Sequence, residues 1–131
     1  GFAKAGWHVT VLCAGQRNAH MRDGDVNVVR VHTTSRKTAF GFFRVWLSLL
    51  IAAIRMQKTD VVVTLTDPPL LVTAGRIIAR ITGAKHLHWC QDVYPDLAPL
   101  VGLNLPPVVM RCLGQISRRS MTSCDKVVAV G

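Results

Sequence analysis

Between Ala84 and Asp96 the chain crowds two histidines, His86 and His88, two carboxylates, Asp92 and Asp96, and the ring pair Trp89 and Tyr94 into thirteen residues, although it holds only seven acidic residues in all. A carboxylate here can act as a general base, accept hydrogen bonds from sugar hydroxyls, or bind a metal. Asp96 is equally well explained as the cap of a turn through Leu97 and Ala98, whereas Asp92 has fewer local explanations. His86 and His88, two apart, share one face of a strand; one of them can reach the cleft, but a histidine on a central strand is more often a satisfied core residue. Trp89 reads as packing. A second stretch, Thr66-Asp67-Pro68-Pro69, joins a strand end to a helix start, so Thr66 and Asp67 can face a crevice. By itself it reads rather as a helix capped by Asp67, with Pro68 or Pro69 in the first turn.

The elements that position these groups follow from the apolar pattern. Trp7–Cys13 and Val26–Val31 read as strands, separated by a polar stretch from Gln16 to Asp25 with a turn signal at Asp23-Gly24-Asp25. Residues 39–57 form the most apolar segment, predicted as a helix capped from Ser35 or Thr38. Arg44, Ser48, Ala52 and Arg55 recur along one stripe of it, which favours a buried helix over a membrane span of about 20 apolar residues. Its Phe-rich, Arg-flanked start also suits an interfacial role at a membrane surface. Asp60–Thr66 is a strand apolar on both faces, Leu70–Thr82 a helix stopped by Gly83, and Ala84–Gln91 the next strand. Pro95 biases Tyr94 away from helical geometry, so the chain leaves that strand as an exposed turn. A short helical turn follows at 98–102, then a helix opened by Pro106-Pro107 and running to Ser123, and a final strand at 125–130. Apolar strands alternating with helices predict an α/β fold, a doubly wound parallel sheet covered on both sides, whose ligands bind where strands end.

Composition narrows the partners. Half of the 131 residues are hydrophobic, enough for one domain with a core and too many for disorder. The chain opens at Gly1 on what reads as the last turn of a helix and closes just after a strand, as expected of a piece cut from a longer protein. Sixteen Lys and Arg against seven Asp, with no Glu, give a net charge of +9 and point to an anionic partner: nucleotide phosphates, an anionic membrane surface or nucleic acid. The basic residues are scattered and lack interleaved aromatics, so nucleic acid is not expected. Cys13, Cys90, Cys112 and Cys124 are far apart with no Cys-x-x-Cys pair, so a zinc site is not expected, and they read as four buried thiols in a reducing cytoplasm. Neither a Gly-x-Gly-x-x-Gly turn nor a P-loop occurs.

Four segments resemble the N-terminal half of a GT-B glycosyltransferase, specifically family 4 enzymes of the colanic-acid and exopolysaccharide type. Ala5-Gly6-Trp7-His8-Val9-Thr10-Val11-Leu12 resembles that family's Gly-His-x-Val-Thr-Val-Leu strand, with a Trp inserted before the His. Asp60-Val61-Val62-Val63-Thr64-Leu65-Thr66-Asp67-Pro68-Pro69 resembles its Asp-Val-Val-x-x-x-Ser-Pro-Pro element, with Asp67 in place of Ser. Gln91-Asp92-Val93-Tyr94-Pro95-Asp96 is similar to Arg-Asp-Leu-Trp-Pro-Glu, and Asp125–Val130 to the strand that ends the first domain. The resemblance covers nearly the whole chain, residues 1–131, as a Rossmann-like acceptor-side domain that starts after the family's first strand and glycine-rich turn.

The resemblance implies transfer of a sugar, with retention, from a nucleotide-sugar donor to a lipid-linked or saccharide acceptor. The nucleotide-sugar is a substrate, and neither cofactor nor metal is expected. Asp92 would stand near the acceptor hydroxyl as base or as positioning group, with Thr66, Asp67, Pro68, Tyr94 and Asp96 around the substrate. The family's donor-binding Glu-x7-Glu motif belongs to a C-terminal domain, which the Glu-free sequence lacks. The implied setting is cytoplasmic, at the inner membrane face. The alternative is a stand-alone Rossmann-like nucleotide-binding or regulatory module without catalysis.

Overall fold

The computed structural model describes residues 1–33, 39–56, 58–66, 70–91 and 106–129. It divides into two units, Gly1–Arg55 and Met56–Gly131, each with its own three-stranded sheet.

In the first unit a single 3-10 turn, Ala3–Ala5, precedes β1 (Val9–Gly15), β2 (Ala19–Asp23), β3 (Val26–His32) and helix α1 (Ala39–Arg55). The strand order is β1-β3-β2, with β1 parallel and β2 antiparallel to β3. The stretch expected to be an irregular polar connection therefore contains a strand. Most of β2 is exposed, so no apolar alternation marks it, and its ladder of backbone hydrogen bonds to β3 holds it instead. The hairpin closes through the two-residue loop Gly24-Asp25, with Gly24 at φ 56°, a left-handed geometry that suits the strand twist. Arg22 Nε braces the loop by donating to the Gly24 carbonyl at 3.1 Å.

Helix α1 packs against β1 and β3 and buries Val45, Leu49 and Leu50. Its exposed row is not the polar stripe that the sequence suggests. Phe40, Phe43, Leu47, Ile51 and Ile54 face outward together with Arg44 and Arg55, while Ser48 and Ala52 are half-buried. Among the described residues no helix is long and apolar enough to cross a membrane. The capping residues proposed for α1, Ser35 and Thr38, lie outside the described residues.

The second unit runs β4 (Val61–Leu65), α2 (Leu71–Thr82), β5 (Lys85–Cys90), α3 (Pro107–Thr122) and β6 (Lys126–Ala129). Its sheet is entirely parallel, in the order β4-β5-β6. Parallel neighbours need a crossover, and α2 supplies one between β4 and β5. Val72, Ala74 and Ile78 of α2 are buried as the helix packs on β4, β5 and α3. Gly83 (φ 74°) ends α2, as expected from the sequence. Pro107 opens α3 at a position where its missing N–H costs no helical hydrogen bond.

The start of α2 differs from expectation. Its first turn begins at Leu71, beyond both prolines, and the N-cap is Leu70 at φ 66°. The Thr73 backbone N–H and hydroxyl both donate to the Leu70 carbonyl, at 2.9 and 2.6 Å. Strand β4 also departs from the reading of two buried faces: Val63 and Leu65 are about half exposed, whereas Thr64 is buried. The described residues thus form a mixed α/β architecture of two small sheets, one with an antiparallel edge strand and one wholly parallel.

Candidate functional site

β4 and β5 pair in parallel from Val61↔Lys85 to Leu65↔Trp89, so both strands finish at the same edge of the sheet. One side chain ties the two exits together. The Gln91 N–H donates to Thr66 Oγ1 at 2.9 Å, and the Thr66 hydroxyl donates to the Trp89 carbonyl at 3.4 Å. Thr66, singled out as a wall of the site, is thus a clamp across the ends of β4 and β5. Asp67, Pro68, Asp92, Tyr94 and Asp96 lie outside the described residues, as does the short helical turn expected at 98–102. Residues 67 and 92 directly follow the two clamped segments in the chain.

Behind this edge lies a polar cluster inside the parallel unit. His86 and His88 are each 2% exposed and share the face of β5 that α2 covers. Thr64, paired in register with His88, stands between them. Its Oγ1 lies 2.9 Å from His86 Nε2 and 3.0 Å from His88 Nδ1. On the other side of the first ring, His86 Nδ1 is 3.4 Å from Cys124 Sγ, which itself donates to the Ser120 carbonyl at 3.3 Å. His88 Nε2 is buried without a hydrogen-bond partner. The helix approaches closely here, because a Cβ at Gly75 would collide with the His86 ring and the Thr64 methyl.

Burial sets the electrostatics of the cluster. It pushes the His86 imidazole below its ordinary value, and the neighbouring His88 adds to that effect while Asp125 opposes it. It lowers His88 too, against a hydrogen bond to the Thr64 backbone. The Cys124 thiol is pushed up by burial and by Asp125, with Arg76 opposing. Both imidazoles are therefore neutral at pH 7 and Cys124 is a thiol, a set unsuited to supplying a thiolate nucleophile.

At the opposite, amino end of the sheet, Asp125 latches β5 to β6. Its Oδ2 accepts from the His86 N–H at 2.9 Å, its own N–H donates to the His86 carbonyl at 2.9 Å, and Lys85 Nζ pairs with Oδ1 at 2.9 Å. The hydrogen bond from His86 and the Lys85 ammonium hold its carboxyl below the usual range. Beside this latch is a cavity of about 180 Å³ lined by Arg76, Ala79, Arg80, His86, Ser123 and Asp125. It lies away from the sheet edge that the sequence marks.

Sequence reasoning put the two histidines on one face and favoured the core over the cleft for them; both are buried on one face, but His88 Nε2 lacks the partner expected of a satisfied core residue. It missed Thr64 as the hub, whose only signal was a threonine in an otherwise valine-rich strand. It also missed Asp125 as a backbone latch and Gly75 as the point of closest approach. Among the described residues, no three His, Cys, Asp or Glu side chains converge as a metal site requires. No known family model, curated protein or solved structure matches the chain.

Proposed function

We propose that this chain is the acceptor-side, Rossmann-like half of a retaining glycosyltransferase of the GT-B family 4 kind, and that its doubly wound sheet places the acceptor at the carboxyl edge of β4 and β5. The observation that carries this reading is the Thr66 clamp, which joins the exits of two parallel strands so that the segments beginning at Asp67 and Asp92 start from one edge. Ligands of parallel α/β sheets bind at such edges. In this reading Asp92 accepts a hydrogen bond from the attacking acceptor hydroxyl. The proton leaves either to Asp92 or to the departing nucleotide phosphate. Tyr94, Asp96, Asp67 and Pro68 shape the acceptor subsite, and a donor-binding domain outside these 131 residues brings the nucleotide-sugar.

The acceptor in this proposal is a lipid-linked saccharide at the cytoplasmic membrane face. The exposed row from Phe40 to Ile54 on α1, bracketed by Arg44 and Arg55, supports an interfacial contact, and the net charge of +9 suits an anionic surface. The test is sugar transfer by the full-length protein, using radiolabelled nucleotide-sugars and a polyprenyl-diphosphate-linked saccharide. The Asp92→Asn substitution is expected to lower kcat at least tenfold, and unchanged turnover would remove Asp92 from the site. Tight nucleotide binding by the 131-residue chain alone would favour the stand-alone nucleotide-binding module instead.

A further inference from the structure

The cluster around Thr64 has a hydrogen count that only some arrangements satisfy. The Thr64 hydroxyl has one proton to give, yet its oxygen contacts a ring nitrogen on each side. Cys124 spends its proton on the Ser120 carbonyl, so Cys124 Sγ is an acceptor for His86 Nδ1–H. His86 Nε2 then carries no proton and accepts from the Thr64 hydroxyl. Thr64 Oγ1 in turn accepts from His88 Nδ1–H, leaving His88 Nε2 as a bare lone pair. That is the buried atom without a partner. The reverse arrangement would leave an N–H at the same position, and orphaned buried donors are rarer than under-used acceptors.

From this geometry we propose that the Thr64-centred pair is an acid-sensitive latch for α2: both rings are neutral and protonated on Nδ1 in the folded unit, and a further proton on either releases the helix. A proton added to His88 Nε2 creates a cation with no acceptor. A proton added to His86 Nε2 sets two donors against one Thr64 oxygen and turns its hydroxyl away from its only acceptor. His86 cannot shift toward α2 while the helix is docked, because Gly75 leaves no space above His86 and Thr64.

The charged groups around the pair act in both directions. Arg76 and Arg80 of α2 line the cavity beside His86, Lys85 precedes it on β5, and the neighbouring His88 disfavours a charge on His86. Among the described residues Asp125, ahead of β6, is the one carboxylate beside His86; its charge favours the protonated ring, although its two oxygens are engaged by Lys85 and the His86 backbone. Cys124 contributes an uncharged thiol, Thr64 is the group that β4 offers, and Ser120 of α3 adds only a carbonyl.

The sign follows from burial. The unfolded chain takes up a proton near pH 6.5 on each ring, whereas the folded chain takes it up only at lower pH. Stability is therefore complete above pH 6.5 and is lost as the pH falls from there toward the folded values. If a ring stays neutral in the folded state down to pH 5.0, the folding constant falls about 30-fold per ring between pH 7.5 and 5.0.

Two measurements on the 131-residue chain test the latch. Long-range ¹H–¹⁵N spectra at pH 7.5 are expected to show both rings protonated on Nδ1, and urea unfolding at pH 7.5 and 5.0 is expected to show the loss. Amide exchange in α2 should accelerate ahead of that in β5. The His88→Gln variant keeps a donor for Thr64 without a titrating ring, and is expected to lose about half of the pH dependence on a logarithmic scale. A ring protonated on Nε2, a ring titrating in the folded chain at or above pH 6.5, or stability unchanged between the two pH values would overturn the proposal. The wild-type spectra and unfolding curves decide the matter even where the variant fails to fold.

Discussion

Replacing Thr64 with valine changes the shape of the side chain very little and removes one hydroxyl, which makes it a direct probe of the buried network. In the wild type that hydroxyl satisfies His88 Nδ1–H at 3.0 Å and His86 Nε2 at 2.9 Å, both inside the unit. In Thr64→Val both ring atoms lose their partner. Each unsatisfied buried polar group costs about 1–3 kcal/mol, so the expected loss for the two is about 2–6 kcal/mol. That is a large share of the ~5–15 kcal/mol that holds a typical domain together. Thr64→Ser does the opposite, keeping the hydroxyl and deleting a methyl, with an expected cost of about 1 kcal/mol. Urea unfolding at pH 7.5 reads both, and the midpoint should fall further for valine than for serine with the slope unchanged. A core held only by apolar packing gives the reverse order. Valine equal to or more stable than serine would therefore refute the assignment of Thr64 as hub.

Glycine-to-alanine changes should separate by position. At Gly114, inside α3 with nothing within 4 Å of an added Cβ, alanine is expected to stabilise by about 0.5–1 kcal/mol through helix propensity. At Gly75 the same change drives a methyl into His86 and Thr64 and is expected to destabilise by about 1–3 kcal/mol, both readable by thermal melting. Acid unfolding should proceed in two windows. The imidazoles act as the pH falls below 6.5, whereas Asp125, whose carboxyl is held below its ordinary value, contributes stability that is lost as the pH falls through its folded value, so the unfolding midpoint should keep falling at acid pH beyond the start of the imidazole loss. Of the four cysteines expected to be buried only Cys90 is, so thiol labelling in native buffer should modify exposed Cys112 first, half-buried Cys13 and Cys124 more slowly, and Cys90 only on unfolding, as mass spectrometry of partly labelled protein would show.

Much of the parallel unit was legible because its signals are local. The valine run before Thr64, the Gly83 stop and the Pro106-Pro107 start each name an element through one stereochemical preference, and all three correspond to observed boundaries within a residue or two. Strand β2 was not legible, since an exposed edge strand is specified by its partner's backbone and not by its own side chains. The face of α1 was misread for a related reason. Arg44 and Arg55 do lie outward, but the row they share is filled with Phe, Leu and Ile, so charge alone did not mark the outer side. At the candidate site, the sequence pointed to the ends of β4 and β5, and the Thr66 clamp supports treating those ends as one edge. The histidine cluster depends on Thr64, Gly75, Cys124 and the two rings meeting across four separate segments. Periodicity in any one segment carries no trace of such a meeting.

The tight seat of α2 over the sheet has a bearing on how this chain can diverge. Positions 64, 75 and 86 occupy what amounts to a single shared volume, although eleven residues separate each from the next. Bulk gained at the middle position has to be given up at one of the other two, so none of the three is free to drift by itself.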